Sequence, residues 1–227
     1  MSRGADGEPA VNQDRAAVVL VAALLALSLV QPLYPREQIL QHLPTVPALA
    51  ALYRIAGRCV FSSLGLRMLL AFLVLHIIGA RYIYSYVPYD RVTDALLGRS
   101  LSDLLDLHRN HYDRFVHLAF GVLVLLPLAE FGARFGGMKR NWAVCFAVAA
   151  VLGFSALYES FEWGLTMVLS PGQAENYNGQ QGDPWDAQKD MALASLGAAL
   201  AAWPVSRAKS LRPTEAGGAS LEPPSSS

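Results

Sequence analysis

Residues 179–191 have the sequence GQQGDPWDAQKDM and open the last apolar run of the chain. Asp183, Asp186 and Asp190 are three and four residues apart, so a helix that begins here places their carboxylates near one face. Lys and Arg are absent from residues 141–188. Because an uncompensated carboxylate is costly in apolar surroundings, we expect a distant Arg, a His or a metal ion to compensate these acids.

The composition around this stretch is typical of a membrane protein. The chain has 227 residues, of which 53% are hydrophobic and 16% are charged, and its formal net charge is zero. It is therefore too apolar for an ordinary soluble domain. The apolar composition predicts the lipid bilayer as a partner, whereas the zero net charge suggests neither a nucleic-acid surface nor a strongly anionic-lipid surface. We predict an all-α fold, a polytopic transmembrane helical bundle of five or six spans.

Apolar runs and polar segments define the predicted organisation. Residues 1–14 are polar and predicted to be disordered, residues 15–206 form the transmembrane helical domain, and the Pro/Ser/Gly-rich residues 207–227 form a disordered tail. Residues 46–56 are apolar but shorter than a usual span. This piece is either an interfacial or re-entrant helix or a short sixth span.

Polar residues of three predicted spans meet at one membrane face. Two spans separate the loop at 81–114 from the loop at 169–184, so both loops lie on the same side. The second of these spans carries Glu159 and Glu162 near its end. Because its length matches the thickness of the bilayer, it returns these glutamates to that side. Each of the three helix ends carries a pair at helical spacing; the pairs are Asp113 with His117, Glu159 with Glu162, and Asp186 with Asp190.

Carboxylates and a histidine in this arrangement are typical of a divalent-metal site or an acid/base site in a helical bundle. The predicted metal ligands are Asp113, His117, Glu159, Glu162, Asp186 and Asp190. The predicted catalytic residues are Glu159, Glu162 and His111, and the groups expected to orient the ligands are His108, Asn110, His111 and Tyr158.

Simpler roles for some of these acids stay open at this point. Asp183 precedes Pro184, a pattern that favours a helix N-cap. The two glutamates could instead pair with Arg109 or Arg114 in a structural network. Glu130 and Arg134 are expected to form a local ion pair at the opposite end of their span, away from the predicted site.

Four sequence blocks resemble the YjdF-like family of bacterial inner-membrane proteins. They are GARYIYSYVPY (79–89), RNHYDRFVHLAFG (109–121), SALYESFEW (155–163) and GQQGDPWDAQKDM (179–191). The resemblance covers residues 15–206 and implies a multi-pass protein of the bacterial inner membrane. That family has no established activity, so the resemblance implies location and topology class but no reaction.

A weaker similarity is to VanZ-like membrane proteins, which place an acid late in one span and an Asp-x-x-x-Asp block followed by Gly in a later one. The corresponding residues here are Glu159, Asp186, Asp190 and Gly197. VanZ-like proteins usually carry an Arg shortly before the first Asp, and this chain has none there. The similarity supports the architecture and not the function.

The function favoured by these patterns is a metal-dependent membrane hydrolase or transferase that acts on a lipid or envelope precursor through the carboxylate/His cluster. The alternatives are a proton- or cation-coupled transporter and a non-catalytic membrane accessory protein. A carrier of this size is expected to show internal repeats or interrupted helices near the bilayer midplane. The sequence shows no repeat, and its acids lie near span ends, which favours the enzyme.

The distribution of Lys and Arg predicts the orientation. Two short segments are rich in basic residues, one with Arg134, Lys139 and Arg140, and the other with Arg207, Lys209 and Arg212. The positive-inside rule places both segments in the cytoplasm, which leaves the acidic cluster facing the periplasm. The arginines of the 81–114 loop argue for the opposite orientation.

Overall fold

A computed structural model of the chain describes residues 8–58 and 60–211, and these residues form helices and loops without a strand. The long helices are α1 (Glu8–Ser28), α4 (Ser63–Arg81), α7 (Tyr112–Phe135), α8 (Arg140–Thr166) and α10 (Asp186–Ser206). The short helices are α2 (Pro35–His42), α3 (Thr45–Ile55), α5 (Tyr89–Leu97), α6 (Leu101–Leu105) and α9 (Pro171–Asn178), and a 3₁₀ helix covers Lys209–Leu211.

Four helices of the described chain are long and apolar enough to cross a membrane. They are α4, α7 and α8 over their full lengths, and α1 from Val11 to Ser28. Helix α10 has 21 residues but carries Asp186, Lys189 and Asp190 near its start, and α3 has only 11 residues. The all-α class is confirmed, whereas the count of five or six spans stays a prediction.

The first helix starts earlier than the sequence suggests. Residues 8–14 belong to α1, although they fall in the segment predicted to be disordered. Asp14 is 3% exposed and accepts a hydrogen bond of 3.0 Å from the Ser63 hydroxyl, so packing against α4 holds this polar turn in place. The rest of the two predicted disordered segments, residues 1–7 and 212–227, lies outside the described residues.

Helix α7 lies at the centre and packs against α4, α8 and α10. Its contact with α10 is made backbone to backbone at Gly121 and Gly197. A Cβ atom at Gly121 would collide with the carbonyl oxygen of Ala194, and a Cβ atom at Gly197 would collide with that of Leu118. Glycine at both positions therefore allows the close approach that small residues give membrane helices.

The polar contacts give the direction of each helix. Arg109, just before α7, binds Asp186 at the start of α10, so α7 and α10 begin at the same end. At the opposite end, Arg140 at the start of α8 donates to the carbonyl oxygen of Leu211. Helix α8 therefore runs antiparallel to both and brings Glu159 back towards the start of α7.

The opposite end of α7 is tied to α4 by a buried acid. Glu130 is 5% exposed and accepts a hydrogen bond of 2.9 Å from the backbone N–H of Ser62, the residue before α4. Arg134, its expected ion-pair partner, donates to the carbonyl oxygen of Arg58. Glu130 thus joins two helices, a role that its sequence neighbourhood does not indicate.

A tight turn after α4 accounts for the aromatic block at 79–89. Ile83 and Tyr84 both have left-handed backbone angles, with φ of 42° and 57°. This turn folds the Tyr84 ring back onto Gly79, where a Cβ atom would collide with the ring. The Tyr84 hydroxyl lies 2.6 Å from Nδ1 of His76. The other ring nitrogen of His76 lies 2.9 Å from the Thr45 hydroxyl, so this histidine is a hydrogen-bonded packing residue.

Candidate metal centre

Three side chains from α7 and α10 form a compact group of metal-ligand type. Asp113 and His117 lie one turn apart on α7, and Asp190 projects from α10; one potential ligand atom from each lies within 4.8 Å of the others. Two ligands of one ion are separated by at most about 4.2 Å for Zn²⁺ or Mg²⁺ and about 5 Å for Ca²⁺. The donors would therefore have to contract slightly around a small ion, and the imidazole favours a transition metal such as Zn²⁺ over Ca²⁺, which takes oxygen ligands.

Glu159 of α8 adds a fourth group at the edge of this cluster. Its Oε1 lies 3.5 Å from Nε2 of His117, and the same nitrogen lies 3.7 Å from Oδ1 of Asp113. Both separations are longer than a typical N–H···O hydrogen bond, so the imidazole faces two carboxylates without closing on either of them. The structure therefore brings together residues from all three of the predicted pairs.

Two carboxylate oxygens of this cluster are buried without a hydrogen-bond partner among the described residues. They are Oδ1 of Asp190 and Oε1 of Glu159. Asp190 is 2% exposed and Glu159 is 8% exposed. A buried acceptor without a partner costs free energy, and the cost is larger for a charged group. A bound cation or a proton would remove this cost.

Asp186 belongs to a neighbouring ion-pair group and not to the compact cluster. Its Oδ1 accepts hydrogen bonds from Arg109 at 2.7 Å and from Arg114 at 3.3 Å. Arg114 also binds the carboxylate of Asp183. Lys189 binds the Asp183 carboxylate as well, at 2.6 Å. Asp186 lies outside the three-residue group, and the guanidinium groups occupy one of its two oxygens, so its role as a metal ligand stays a prediction.

Arg109 and Arg114 therefore neutralise a different pair of acids from the glutamates that the sequence suggested as their partners. Arg109 and Arg114 were candidates for pairing with Glu159 and Glu162, but their ion pairs go to Asp183 and Asp186. A distant Arg does compensate part of the acidic stretch, as expected. The cluster around His117 has no such cation among the ion pairs of the described residues.

The glycines and glutamines of the 179–191 stretch hold the two loops together. Arg109 donates to the carbonyl oxygens of Gly179 at 3.2 Å and Gln180 at 2.9 Å. The Gln181 side chain accepts from the backbone N–H of Asn110 and donates to its carbonyl oxygen. Gln181 was missed by the sequence reasoning, which weighed only titratable groups; the repeated Gln in GQQG was the available signal.

Asp183 combines a backbone role with a charged one. Its Oδ1 accepts a hydrogen bond of 3.0 Å from the N–H of Trp185. The predicted N-cap role needs a correction, because α10 begins at Asp186 with Trp185 as its N-cap residue. The bond from Lys189, followed by that from the Trp185 backbone, lowers the pKa of Asp183 to about 2.

The other predicted residues occupy different places around the cluster. Glu162 is partly buried one turn after Glu159 and has the Tyr158 hydroxyl as a neighbour. The side chain of His108 is 87% exposed and faces Asp106 at 3.9 Å, so its predicted orienting role is not supported. Asn110 acts through the loops, since its side-chain oxygen accepts from the N–H of Tyr112.

His111 lies at the rim of a groove beside the cluster. It immediately precedes α7, and its backbone N–H donates to the Tyr89 hydroxyl at 3.0 Å. Burial, together with the charges of Arg114 and Arg109, lowers the pKa of His111. The groove has a volume of about 830 Å³ and is lined by α6, α7 and α10. His111 therefore faces the groove side of α7, whereas Asp113 and His117 face α8 and α10.

The sequence was compared with known proteins. Residues 14–210 match the family described as "Predicted membrane protein (DUF2238)". A curated relative, "Inner membrane protein YjdF" of Escherichia coli (strain K12), is 31% identical over 156 residues, which cover 68% of this chain and 70% of the relative. No solved structure matches the chain. With several apolar helices and this relative, the chain is a multi-pass inner-membrane protein, and it belongs to the DUF2238 family of predicted membrane proteins.

Proposed function

We propose that this protein is a metal-dependent membrane hydrolase or transferase that acts on a lipid or envelope precursor. Asp113, His117 and Asp190 hold a divalent cation in this proposal. The observation that carries it is the buried Oδ1 of Asp190, which has no hydrogen-bond partner among the described residues although Asp113 and His117 offer ligand atoms within 4.8 Å. A cation at this point would satisfy that oxygen and offset the mutual repulsion of the carboxylates.

The chemistry assigned to the cluster is activation of water by the ion. A divalent cation lowers the pKa of a bound water and polarises an oxygen of the substrate. Glu159, whose Oε1 lies 3.5 Å from Nε2 of His117, would be the general base of such a site. Glu162 is assigned a supporting role one turn further along α8. Asp186 is a positioning residue here, because it ties the start of α10 to Arg109.

The proposal includes six passes of the chain through the membrane. Asp14 of α1 binds Ser63 at the start of α4, and Gln31 after α1 accepts a hydrogen bond from Arg81 at the end of α4. Helices α1 and α4 therefore run in the same direction, so the chain returns between them through α2 and α3. Helix α10 supplies the last pass beside α7.

Metal analysis of the purified protein tests the site. We expect about one divalent ion per chain in protein prepared without chelator, since the cluster supplies one three-ligand site. Asp113→Asn and Asp190→Asn should each weaken metal affinity by more than about 10-fold, since removal of a mere hydrogen-bond partner of a ligand already costs about 10- to 100-fold. Asp106→Asn is the matched control because Asp106 is 93% exposed. Wild-type protein that stays metal-free when titrated with Zn²⁺, Mg²⁺, Mn²⁺ and Ca²⁺ would refute the site.

Catalysis is tested separately from metal binding. Glu159→Gln should retain the ion, because Glu159 lies outside the three-ligand group, yet it should reduce hydrolysis of lipid phosphates by about 100-fold or more through loss of the base. Chelator should abolish the same activity, and added metal should restore it. Activity that persists in chelator would exclude the metal-dependent reaction.

The position of Glu159 and Glu162 within an apolar helix favours a second candidate, a proton- or cation-coupled transporter. Proteoliposomes separate the two functions. A carrier should move a cation or a proton across the bilayer together with a solute, and Glu159→Gln should stop this flux. An enzyme should release product without such a flux.

A further inference from the structure

The groove beside the candidate metal centre has polar residues at one end and apolar residues at the other. On α7 the lining residues run from His111 and Arg114 to Leu118, and on α10 they run from Lys189 to Leu193. In both helices the polar residues come first, and apolar residues follow one turn further into the bundle. An amphiphile whose head lies at the helix starts and whose tail follows the helices would match this order.

The apolar wall of the groove continues into exposed apolar surface. Phe115 on α7 is 50% exposed, and Leu105 on α6 is 60% exposed. Helices α5 and α6 bury none of their residues, although Leu96 and Leu97 are apolar. Amphipathic segments of this kind lie in the membrane interface. The groove therefore opens where acyl chains of the bilayer reach it.

The polar end carries an excess of positive charge. Three cations, Arg109, Arg114 and Lys189, surround two carboxylates, Asp183 and Asp186. These five ion-paired groups leave one positive charge over, and the Lys189 side chain is 49% exposed, so it can turn from Asp183 towards a ligand. The Nε of Arg114 is buried without a hydrogen-bond partner among the described residues. A single phosphate would complement this end of the groove.

We propose that the groove binds an anionic phospholipid of the bilayer, with its phosphate at Arg114 and Lys189 and one acyl chain along Leu118 and Leu193. This assignment rests on the proposed function, because it names the substrate class of that enzyme. In this assignment the lipid head lies beside the turn of α7 that carries Asp113, on the side of α7 that lines the groove. Arg114 and Lys189, which line the groove, are the partners of Asp183 in its ion pairs.

Photo-crosslinking tests the assignment with the full-length protein in nanodiscs. The probes are phosphatidylglycerol and phosphatidylcholine, each with a diazirine in one acyl chain. Phosphatidylglycerol should label peptides that contain Leu118 and Leu193 more strongly than phosphatidylcholine does. Leu193→Trp fills the groove and should reduce this labelling several-fold. Leu196→Trp, on the same helix but outside the groove and 50% exposed, is the matched control and should label like wild type.

A substitution of Lys189 tests how much its positive charge contributes to lipid binding. Lys189→Gln should reduce the preference for phosphatidylglycerol by about five-fold, the effect of one basic residue near an anionic lipid. Equal labelling by the two lipids in wild type, or unchanged labelling in Leu193→Trp, would overturn the proposal. Asp113→Asn should keep the lipid labelling, and Leu193→Trp should keep its metal content. A failure of the lipid site is thereby distinguished from a failure of the metal site.

Discussion

Asp183 is the single residue at which the loop, the start of α10 and the ion pairs meet. One oxygen accepts from the Trp185 backbone, and the other is held by Arg114 and Lys189. Substitution by Asn keeps an acceptor for the backbone but removes the charge. The two roles can therefore be separated by one conservative variant, and the charged role predicts a specific dependence on pH.

We predict that Asp183→Asn lowers the thermal unfolding midpoint in detergent by the same amount at pH 8 and pH 5. The pKa of this carboxyl is about 2 in the folded chain and 3.8 is its ordinary value. A lowered pKa contributes stability above the ordinary value, and the contribution is lost only as the pH falls through the folded value. Asp106→Asn serves as the exposed control. A destabilisation that vanishes between pH 8 and pH 5 would contradict the ion-pair role.

Helical spacing was sufficient to group Asp113, His117 and Asp190 at one place, but it did not indicate the ion pairs of Asp186. Asp113 with His117 and Asp186 with Asp190 are both pairs at positions i and i+4, so each pair shares a helix face. Nothing in that spacing indicates which member an arginine will bind. The contact of Arg109 with Asp186 spans 77 residues of sequence and depends on the folded loops. The loop argument gave the common membrane face, whereas the ion pairs needed the structure.

At the scale of the helices, the crossing of α7 and α10 sets the geometry of the centre. We predict that Gly121→Ala destabilises the protein by about 1–3 kcal/mol, the cost of overpacking a tight contact. A new Cβ atom at this position would meet backbone of α10, which cannot turn aside as a side chain can. Thermal unfolding in detergent measures the effect.

Gly153→Ala is the control for this prediction. No atom lies within 4 Å of a Cβ at that position of α8. Alanine favours helix over glycine by about 1 kcal/mol, so this variant should be neutral or slightly more stable. Equal effects of the two substitutions would show that helix propensity, and not the crossing, decides the outcome at Gly121.

The contact between α4 and α7 at the opposite end predicts a variant that affects stability alone. Glu130→Ala leaves the buried N–H of Ser62 without its acceptor and should cost about 1–3 kcal/mol. Glu130→Gln retains an acceptor oxygen and should cost less. Both variants should keep their metal content, because Glu130 lies more than three helical turns from His117. Loss of metal in a well-folded Glu130→Gln protein would contradict this separation.

At the scale of the whole molecule, the two ends of the bundle differ in charge pattern. The end with the starts of α4 and α8 carries Arg58, Lys139 and Arg207, with few acids beside them. The other end carries the candidate metal ligands Asp113, His117 and Asp190 and the paired arginines. Because Arg109 and Arg114 are largely neutralised by Asp183 and Asp186, they count less for orientation than their number suggests. We therefore predict that the acidic end of the bundle faces the periplasm.

Cysteine labelling in intact cells tests this orientation. In a background with Cys59 and Cys145 replaced by serine, Ser170→Cys should react with a membrane-impermeant maleimide added outside. Ser210→Cys should react only after the cells are permeabilised. Both positions are exposed, so access to the reagent is limited by the membrane alone. The reverse pattern would place the metal cluster at the cytoplasmic face.

The glycine crossing also limits how the chain length can vary. Asp113 lies eight positions before Gly121 on α7, and Asp190 lies seven positions before Gly197 on α10. Each added or deleted residue turns the preceding part of a helix by about 100° and shifts it by about 1.5 Å. A one-residue insertion in either segment would turn the carboxylate of that helix away from the carboxylate of the other helix, although no side chain had been changed. Insertions and deletions are therefore tolerated in loops far more readily than between these acids and glycines.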